Sequence, residues 1–463
     1  MKVALIHSKI HPRKFSENLA PVDSEVGIYP PLSLLYVHKI IKDSGHDAIL
    51  IDANAENLSN KDILRSIKNY KPELLAFSFH TANETQDMFL MIEFLKKATG
   101  LPVLAGGYNF NLYPEDHMIH EVLDFGLTGD VTIGLPAFLN GENLKDIPGM
   151  FYRKNEKLHK PRPLAPITYL NKMPLPSWDA VNISKYYQFI SKRKNFAMIL
   201  TQAGCQYRCT FCSNWEVPLD IRPLSSVMEE IEDLYLHHNV KEIDFLDATF
   251  TFDHKRIKEL CNWLIKKNYD LIWDCRTRTD RVNKEILQLM GRAGCRRICY
   301  GIESSSQTIL RNIRKGTNPD TVSQIIKDTG QARIEPFGFF MIGSTGETLK
   351  TIQNTINYAK SLELDYAVFS VGTAKANTDY SRELMKRTGE DYWRKFIRGE
   401  TKEIVLPNPW CELPNNLLKR EARRAMLNFY LRPNIIVRHL LKINSIDQIM
   451  NYSRTLVKMV IQK

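Results

Sequence analysis

Two stretches of the sequence alternate short apolar runs with amphipathic helical patterns, and this order constrains the fold more than any other feature. In residues 1–150 the apolar runs are KVALIHS, DAILIDA, ELLAFSFH and PVLAGGY. Because parallel strands need helical crossovers, we predict an α/β fold that begins with a doubly wound, Rossmann-like parallel sheet. Ligands of such sheets bind at the carboxyl ends of the strands. These ends are His7-Ser8, Ser78-Phe79-His80 and Gly106-Gly107-Tyr108.

The second series follows a connector at residues 149–194, where the periodicity fails and prolines gather. It runs from FAMILTQAG to YAVFSVGT and holds about six strand-helix units. A complete eight-unit barrel needs ~250 residues, so an open, partial (β/α)6 barrel fits better. After Ala376 the strand signal ends and the tail reads as helical. The predicted domains are residues 1–148, 149–194, 195–384 and 385–463.

The composition is that of an ordinary globular protein, with 43% hydrophobic and 25% charged residues. The apolar run Val3-Ala4-Leu5-Ile6 is shorter than the roughly 7–15-residue core of a signal peptide. No run reaches the ~18 apolar residues of a spanning helix. We therefore expect a cytoplasmic protein whose eight cysteines are thiols or metal ligands rather than a disulfide framework.

Positive charge is concentrated at the end of the chain. The formal net charge is +11, and residues 412–463 hold ten Lys and Arg against three acidic residues. A basic surplus suits nucleic acid, an anionic membrane surface or an acidic substrate, and it also suits a solvated helix face. No base-reading motif stands out, so we predict no nucleic-acid partner.

The sharpest chemical signal is Cys205-Gln-Tyr-Arg-Cys209-Thr-Phe-Cys212, which directly follows an apolar strand. Three closely spaced thiolates suit an iron–sulfur cluster. The next cysteine, Cys261, lies 49 residues further on in a helical pattern, so one iron of a [4Fe–4S] cluster would stay open. A zinc site is the alternative, but it favours four ligands in two paired spacings.

This motif resembles the signature of the radical S-adenosylmethionine (SAM) enzymes, C-x3-C-x-aromatic-C, with Phe211 in the aromatic position. The resemblance covers roughly residues 195–376. It implies that Cys205, Cys209 and Cys212 bind the cluster and that SAM binds at its open iron. The other SAM-binding residues that it implies lie at successive strand ends: Asp247, Arg278, Glu303, Ser304, Gly343 and Gly346.

The side-chain chemistry of the implied SAM residues suggests what they would contact. Asp247 and Glu303 are acceptors for the methionyl ammonium or ribose hydroxyls, and Arg278 is a fork for the methionyl carboxylate. Gly343 and Gly346 would let the backbone approach the adenine. Taken singly, a strand-end acid or arginine is more often a salt-bridge residue. The loop reads Gly-Ser-Thr-Gly where the family commonly has Gly-Leu-Pro-Gly, which is a departure from the pattern.

The first 150 residues resemble the cobalamin-binding domain of one large branch of that family. Ser78, and Gly106-Gly107 before Tyr108, match its serine and its paired glycines. The motif D-x-H-x-x-G is missing after the first strand, so no histidine is predicted as cobalamin's lower ligand. A flavodoxin-like sheet without cobalamin is the alternative. His80 could approach the corrin face, although a lone strand-end histidine is more often simply hydrogen-bonded.

The resemblance implies a cobalamin-dependent radical SAM methyltransferase that acts on an unactivated carbon of a small molecule, lipid or tetrapyrrole. In the family a 5′-deoxyadenosyl radical removes the hydrogen and methylcobalamin supplies the methyl group. The alternative is a cyclase, dehydratase or other rearranging enzyme that transfers no methyl group. Methylthiolation is less favoured. A non-enzymatic cobalamin sensor is also less favoured, because a sensor has no use for a cluster with an open iron. Expected partners are an electron donor such as flavodoxin or ferredoxin and, through the basic C-terminal region, a membrane surface.

Overall fold

The computed structural model describes residues 1–9, 27–162, 169–188, 190–402, 404 and 406–442. The chain divides into two compact units. Unit one comprises Met1–Lys14, Ile28–Tyr187 and Asp391–Val405, and unit two comprises Phe15–Gly27, Gln188–Glu390 and Leu406–Lys463. Parts of three sequence features lie outside the described residues: the stretch at 10–13 where D-x-H-x-x-G is missing, the prolines at 163–166, and the basic tail beyond residue 442.

Unit one is built on a seven-stranded sheet. Its strands are β1 (Lys2–His7), β2 (Asp47–Asp52), β3 (Leu74–Ser78), β4 (Val103–Gly106), β5 (Phe125–Leu127), β6 (Met150–Lys154) and β7 (Lys157–His159). They lie in the order β2-β1-β3-β4-β5-β6-β7, and the first five are parallel. The predicted parallel sheet is confirmed.

Both faces of this sheet are covered, because alternate side chains of each buried strand enter different cores. In β1, Ala4 and Ile6 pack in one apolar cluster and Val3 and Leu5 in another. The helices of this part of unit one are α1 (Leu32–Asp43), α2 (Asn60–Tyr70), α3 (Thr85–Thr99), α4 (Tyr108–Leu112), α5 (Pro114–Met118) and α6 (Val131–Leu139). This arrangement is the doubly wound architecture that the sequence predicts.

The last two strands of the sheet have no counterpart in the sequence interpretation. β6 pairs antiparallel with β5, and β7 pairs antiparallel with β6. Both lie inside residues 149–194, where only a connector was expected. Asn155 and Glu156 form the tight turn between them with positive φ. β6 and the edge strand β7 are short, five and three residues, and too short to show a clear hydrophobic alternation, which explains why the pattern did not reveal them.

Unit two contains six parallel strands in consecutive order. They are β8 (Phe196–Ile199), β9 (Glu242–Phe245), β10 (Ile272–Thr277), β11 (Cys295–Glu303), β12 (Glu335–Ile342) and β13 (Tyr366–Val371). The helices between and after them are α7 (Leu224–Leu236), α8 (His254–Lys267), α9 (Lys284–Arg292), α10 (Gln307–Asn312), α11 (Pro319–Gln331), α12 (Leu349–Ser361) and α13 (Asp379–Thr388). β8 and β13 are the two edge strands, so the predicted partial barrel is confirmed as open.

Three helices follow. α14 (Tyr392–Ile397) belongs to unit one, and α15 (Asn415–Tyr430) and α16 (Pro433–Lys442) belong to unit two. The hydroxyl of Tyr430 donates to the carbonyl of Ala367 and accepts from its amide, so α15 covers the β13 edge. Among the described residues no helix is long and apolar enough to cross a membrane.

Shorter elements complete the described chain. They are the 3-10 helices Ala82–Glu84, Trp178–Ala180, Ile183–Lys185, Asn214–Glu216 and Thr279–Arg281, and the two-residue strands Gly27–Ile28, Tyr187–Gln188, Gln202–Ala203 and Asp220–Ile221.

Candidate active site

The cysteine loop begins after β8 and is anchored at its base by Asp247. This carboxylate is 1% exposed and accepts hydrogen bonds from the backbone N of Thr201 at 2.8 Å and of Gln202 at 3.0 Å. Its second oxygen accepts from the Thr201 hydroxyl at 2.5 Å. Burial raises the pKa of Asp247 to about 6, and the bonds from Thr201 and Gln202 oppose that rise. Asp247 therefore orients the loop, a contribution that the sequence interpretation did not include.

The three cysteines of the loop differ in exposure: Cys209 is buried, and Cys205 and Cys212 are half-buried. The Sγ of Cys205 lies 3.7 Å from Oγ1 of Thr249. Burial raises the pKa of Cys209 to about 11 and also raises the pKa of Cys212. Thiolates at these positions therefore need a compensating metal charge, as cluster ligands have.

No group of three or more His, Cys, Asp or Glu side chains in the described part of the chain is arranged around a single metal ion. A [4Fe–4S] cluster does not need such convergence, because each cysteine ligates a different iron. Four of the other cysteines are buried thiols: Cys261, Cys275, Cys295 and Cys411. Cys299 is half-buried.

Arg278, at the end of β10, packs against the cysteine loop. Its guanidinium carbon lies 3.8 Å from the ring centroid of Tyr207, within that loop. Its Nε and Nη2 donate to the two oxygens of Asp280, each at 2.8 Å. Its Nη1 is buried without a hydrogen-bond partner among the described residues. Asp280 fixes the guanidinium group, and its Nη1 side is thus able to bind an anionic group such as a carboxylate.

Glu303 and Lys315 form a buried ion pair that the sequence interpretation anticipated only in part. The Lys315 ammonium lies 3.0 Å from Oε1 of Glu303, and the side chains are 8% and 10% exposed. Glu303 has φ 67°, a strained value for a residue other than glycine, at an irregularity in the β11–β12 register. Lys315 was not singled out from the sequence, because a lysine after a short helix has no distinctive local pattern.

Ser304 lies next to this pair but faces the helices. It is fully buried, and its Oγ lies 3.2 Å from Oγ1 of Thr355 in α12. Phe211, in the cysteine loop, is half-buried. The implied SAM contacts of Ser304 and Phe211 remain predictions. In the structure Ser304 joins the end of β11 to α12.

Gly343 and Gly346 both have positive φ, 83° and 78°, in the loop after β12. A Cβ on Gly343 would lie 2.7 Å from Cδ1 of Leu418 and 2.9 Å from the Asn408 side chain. The Gly343 carbonyl accepts from Trp410 Nε1 at 2.9 Å. The residues after the barrel, rather than an open space, thus surround Gly343 here. The expected contact of both glycines with adenine remains a prediction.

Glu347 closes the same loop. Its Oε2 accepts from the backbone N of Gly343 at 2.6 Å and of Ser344 at 2.9 Å, and burial raises its pKa to about 7. Its Oε1 and the Ser344 hydroxyl are buried without hydrogen-bond partners among the described residues.

In unit one the predicted cobalamin residues meet at the ends of β3 and β4. Gly107 has φ 101°, and a Cβ there would lie 2.6 Å from Ser78 Oγ and 2.7 Å from the Phe79 carbonyl oxygen. The amide of Phe79 donates to the Gly106 carbonyl at 2.8 Å, which holds the two strand ends together. Tyr108 is 39% exposed beside them. Gly107 thus permits the close contact of the two strand ends, and the passage of a nucleotide tail over the paired glycines remains a prediction.

A polar network at the end of β1 was not anticipated. His7 Nδ1 lies 3.0 Å from Asp52 Oδ1, and the Tyr186 hydroxyl donates to Asp52 Oδ2 at 2.7 Å. Asp52 also accepts from the backbone N of Ala55 at 2.9 Å. His7 is therefore occupied at one ring nitrogen, while His80 at the end of β3 is exposed.

Two family models match the chain. The Radical SAM superfamily model matches residues 199–359, and the B12 binding domain model matches residues 20–139. The chain belongs to the cobalamin-binding radical SAM enzymes. As a member of this family it is an enzyme that uses a [4Fe–4S] cluster, SAM and cobalamin.

Two curated relatives span most of the chain. An uncharacterized methyltransferase of Pyrococcus horikoshii is 29% identical over 88% of this chain and 89% of its own length. The anaerobic magnesium-protoporphyrin IX monomethyl ester cyclase of Rubrivivax gelatinosus is 26% identical over 77% of this chain and 67% of its own length. The relatives thus include an uncharacterized methyltransferase and a cyclase.

Two solved structures share the fold. The cobalamin-dependent SAM radical enzyme OxsB, with aqua-cobalamin and SAM bound, has a TM-score of 0.70 at 15% identity, over 99% of this chain and 71% of its own. The methyltransferase TsrM of Kitasatospora setae, with cobalamin and a [4Fe–4S] cluster, has a TM-score of 0.67 at 18% identity, over 83% and 75%. At these identities the likeness establishes the fold alone.

Proposed function

We propose that the enzyme transfers a methyl group from SAM to an unactivated carbon of a small-molecule substrate. The observation that carries the proposal is the coexistence, in one chain, of a three-cysteine loop without a fourth cysteine and a B12 binding domain. The uncharacterized methyltransferase of Pyrococcus horikoshii, which matches 88% of the chain, bears a name of the same reaction class.

The protein residues bind and orient the cofactors. Cys205, Cys209 and Cys212 hold the cluster, and Arg278 with the Glu303–Lys315 pair binds the polar end of SAM. Ser78, Gly106, Gly107 and Tyr108 support cobalamin. When bound, the three cofactors together supply a carbon-centred radical and a transferable methyl group. The protein contributes a fixed, largely buried array of charges around the cysteine loop.

Product stoichiometry tests this proposal. Methyl transfer consumes two SAM molecules with different fates, so S-adenosylhomocysteine and 5′-deoxyadenosine should appear in a ratio near one to one. A labelled SAM methyl group should enter the product, and deuterium at the attacked carbon should enter 5′-deoxyadenosine. Product formed with 5′-deoxyadenosine but no S-adenosylhomocysteine would contradict methyl transfer. Because abortive cleavage distorts the ratio, the label in the product decides the question.

A rearranging or cyclising reaction is the second candidate, and the cyclase of Rubrivivax gelatinosus supports it. This reaction needs SAM only as a radical source. The stoichiometry therefore separates the two candidates in one experiment.

We also propose an electron donor and a membrane contact. A flavodoxin or ferredoxin would supply the electron for the cluster. Helix α16 buries Ile435 and exposes the adjacent Ile436, Val437, Leu440 and Leu441, which supports contact of this helix with a membrane surface.

A further inference from the structure

The strands of unit two have two different faces. The Tyr300 hydroxyl lies 2.8 Å from Thr329 Oγ1 in α11, so the Tyr300 side of β11 faces the helices. Residues on that side are fully buried, for example Ile298 and Phe340. Several residues that alternate with them are only half-buried: Arg276, Cys299, Gly301, Phe337, Phe339, Val368 and Ser370. At these positions the face opposite the helices is thus packed less completely than the interior of a complete barrel.

Strand register arranges these side chains in rows. One row runs from Arg276 through Cys299 and Phe337 to the buried Tyr366, and the next from Gly301 through Phe339 to Val368. We call the space in front of these rows the lumen. The ion pair occupies the space in front of Gly301, because a Cβ at this position would collide with the Lys315 ammonium and the Glu303 carboxylate. The lumen therefore borders the ion pair beside Cys209.

One side of the lumen is aromatic. The rings of Phe337 and Phe339 lie 4.9 Å apart at 34°, and the Phe337 ring lies 5.7 Å from that of Tyr366. Half-buried aromatic rings next to an aliphatic residue such as Val368 favour a flat, apolar occupant.

The other side is ionic. Arg276 Nη1 and Nη2 donate to the two oxygens of Asp244, each at 2.8 Å. The Asp244 side chain is 3% exposed, whereas the Arg276 side chain is 38% exposed. A buried carboxylate thus fixes the position of an arginine whose side chain is partly exposed.

A layer of buried charged side chains closes the lumen near the amino-terminal ends of strands β9 to β12. Arg297 Nη1 donates to Asp274 at 2.6 Å, and Lys192 Nζ donates to Glu335 at 3.1 Å. Burial raises the pKa of Asp274 to about 7 and raises the pKa of Glu242. The cations of this layer, together with Arg276, are Lys192, Arg296 and Arg297. They lie among three carboxyls, Glu242, Asp274 and Glu335, so the formal charges of this layer balance. Arg276, with a side chain 38% exposed, is the most exposed of the four cations.

We propose that the lumen binds the substrate and that the substrate is a compact molecule with a planar apolar part, which packs on Phe337 and Phe339, and an anionic group, which lies next to Arg276. This inference rests on the proposed function and deepens it by giving the substrate class. A long, uncharged lipid does not fit a lumen with an ionic wall and a closed, charged end.

The Cys299 thiol lies in the same row as Arg276 and reports on the lumen without turnover. Reconstituted enzyme is alkylated anaerobically with iodoacetate or iodoacetamide, which are similar in size but differ in charge, and Cys299 is followed by peptide mass spectrometry. Burial raises the pKa of Cys299 to about 12, so both reactions are slow, but the rate ratio cancels the thiolate fraction. The ratio of the iodoacetate rate to the iodoacetamide rate at Cys299 is divided by the same ratio measured for 2-mercaptoethanol, which removes the intrinsic difference between the two reagents.

The variant is Asp244→Asn with Arg276→Gln, which removes both charges and keeps groups that can hydrogen-bond to each other. The matched control is Arg193→Gln, which removes an arginine paired with Asp270 at the surface of unit two. We expect the normalised iodoacetate preference to fall about threefold to tenfold in the double variant and to stay unchanged in the control.

A ligand probe tests the planar part. We expect 2-naphthoate to slow the alkylation of Cys299 more than 2-naphthylmethanol, which lacks the charge, or hexanoate, which lacks the ring. Phe339→Leu should weaken the protection by 2-naphthoate. The proposal is overturned if Cys299 reacts only after denaturation, if the double variant keeps the wild-type ratio, or if 2-naphthylmethanol protects as well as 2-naphthoate. None of these results depends on methyl transfer, which the labelled methyl group tests separately.

Discussion

The Lys315 ammonium and the Glu303 carboxylate form a 3.0 Å ion pair beside the buried thiol of Cys209. Burial lowers the pKa of Lys315, but Glu303 and Cys209 together raise it above its ordinary value. Glu303 keeps a left-handed backbone at φ 67°, so the pair also holds a strained strand end in place. This pair brings the end of β11 and the segment after α10 to the cysteine loop.

Charge changes at this pair should move the reduction potential of the cluster in opposite directions. Lys315→Met removes a cation near Cys209 and should lower the potential, and Glu303→Gln removes an anion and should raise it. A redox titration followed by electron paramagnetic resonance measures both. Lys327→Met, at an exposed position on α11, is the control and should leave the potential unchanged. Shifts of the same sign in both variants would contradict this assignment.

The cluster itself should depend on three cysteines only. Reconstituted protein should hold about four iron and four sulfide per chain, and Cys205→Ala, Cys209→Ala or Cys212→Ala should each abolish 5′-deoxyadenosine formation. Cys261→Ala and Cys411→Ala are the matched controls, because both thiols are buried in unit two. Loss of the cluster in Cys261→Ala would show that the cluster has a fourth protein ligand.

The parts of the fold that could be predicted are those with local periodicity. β1 alternates its side chains between two cores, and such patterns predicted both parallel sheets and the cysteine loop after β8. The cysteines stood out because their spacing is short and their chemistry is specific.

The parts that escaped prediction depend on contacts between distant residues. Leu418 occupies the space next to Gly343, and Arg398 pairs with Asp116 at 2.6 Å across 282 positions of the chain. Neither contact has a local pattern. The bonds that Asp247 accepts from Thr201 and Gln202 have no local pattern either, and its predicted contact with SAM stays a prediction.

The cradle at Gly107 should tolerate no side chain. Gly107→Ala places a methyl group 2.6 Å from Ser78 Oγ and retains the unfavourable φ of 101°, so unit one should lose about 1–3 kcal/mol of stability and bind hydroxocobalamin more weakly. Gly141→Ala is a sharp control, since Gly141 also has positive φ, 77°, but no atom within 4 Å of the new methyl group. Chemical denaturation and corrinoid retention after gel filtration measure the two effects. Equal losses in both variants would mean that backbone strain alone, rather than crowding, explains the result.

Glu347 should make the stability of unit two pH-dependent. Burial raises its pKa to about 7 from the ~4.3 of an unfolded chain, so the folded state holds the proton more tightly. Its contribution to stability is therefore greatest at low pH, falls as the pH rises from about 4 to about 7, and is constant above that. Glu347→Gln should remove this fall, which amounts to at most about 4 kcal/mol. Thermal midpoints between pH 5 and pH 8 measure it, with Glu363→Gln at an exposed position as the control. An unchanged pH profile in Glu347→Gln would contradict the prediction.

Helix α16 should mediate contact with an anionic membrane surface. It buries Ile435, uses Arg438 and His439 to hydrogen-bond the Leu364 and Asp365 carbonyls, and leaves Leu440 and Leu441 exposed at 61% and 80%. Leu440→Asp with Leu441→Asp should reduce flotation with phosphatidylglycerol vesicles several-fold, because charge on the apolar stripe opposes insertion between lipids.

The control for this experiment is Leu236→Asp, since Leu236 is a 57% exposed leucine at the end of α7. It should float like the wild type. Phosphatidylcholine vesicles should bind less protein than phosphatidylglycerol vesicles, and salt should weaken the binding, because exposed Lys419 and Arg420 of α15 add electrostatic attraction. Equal flotation of the α16 double variant and the wild type would show that the exposed stripe does not contact lipid, without affecting the assignment of the cofactors.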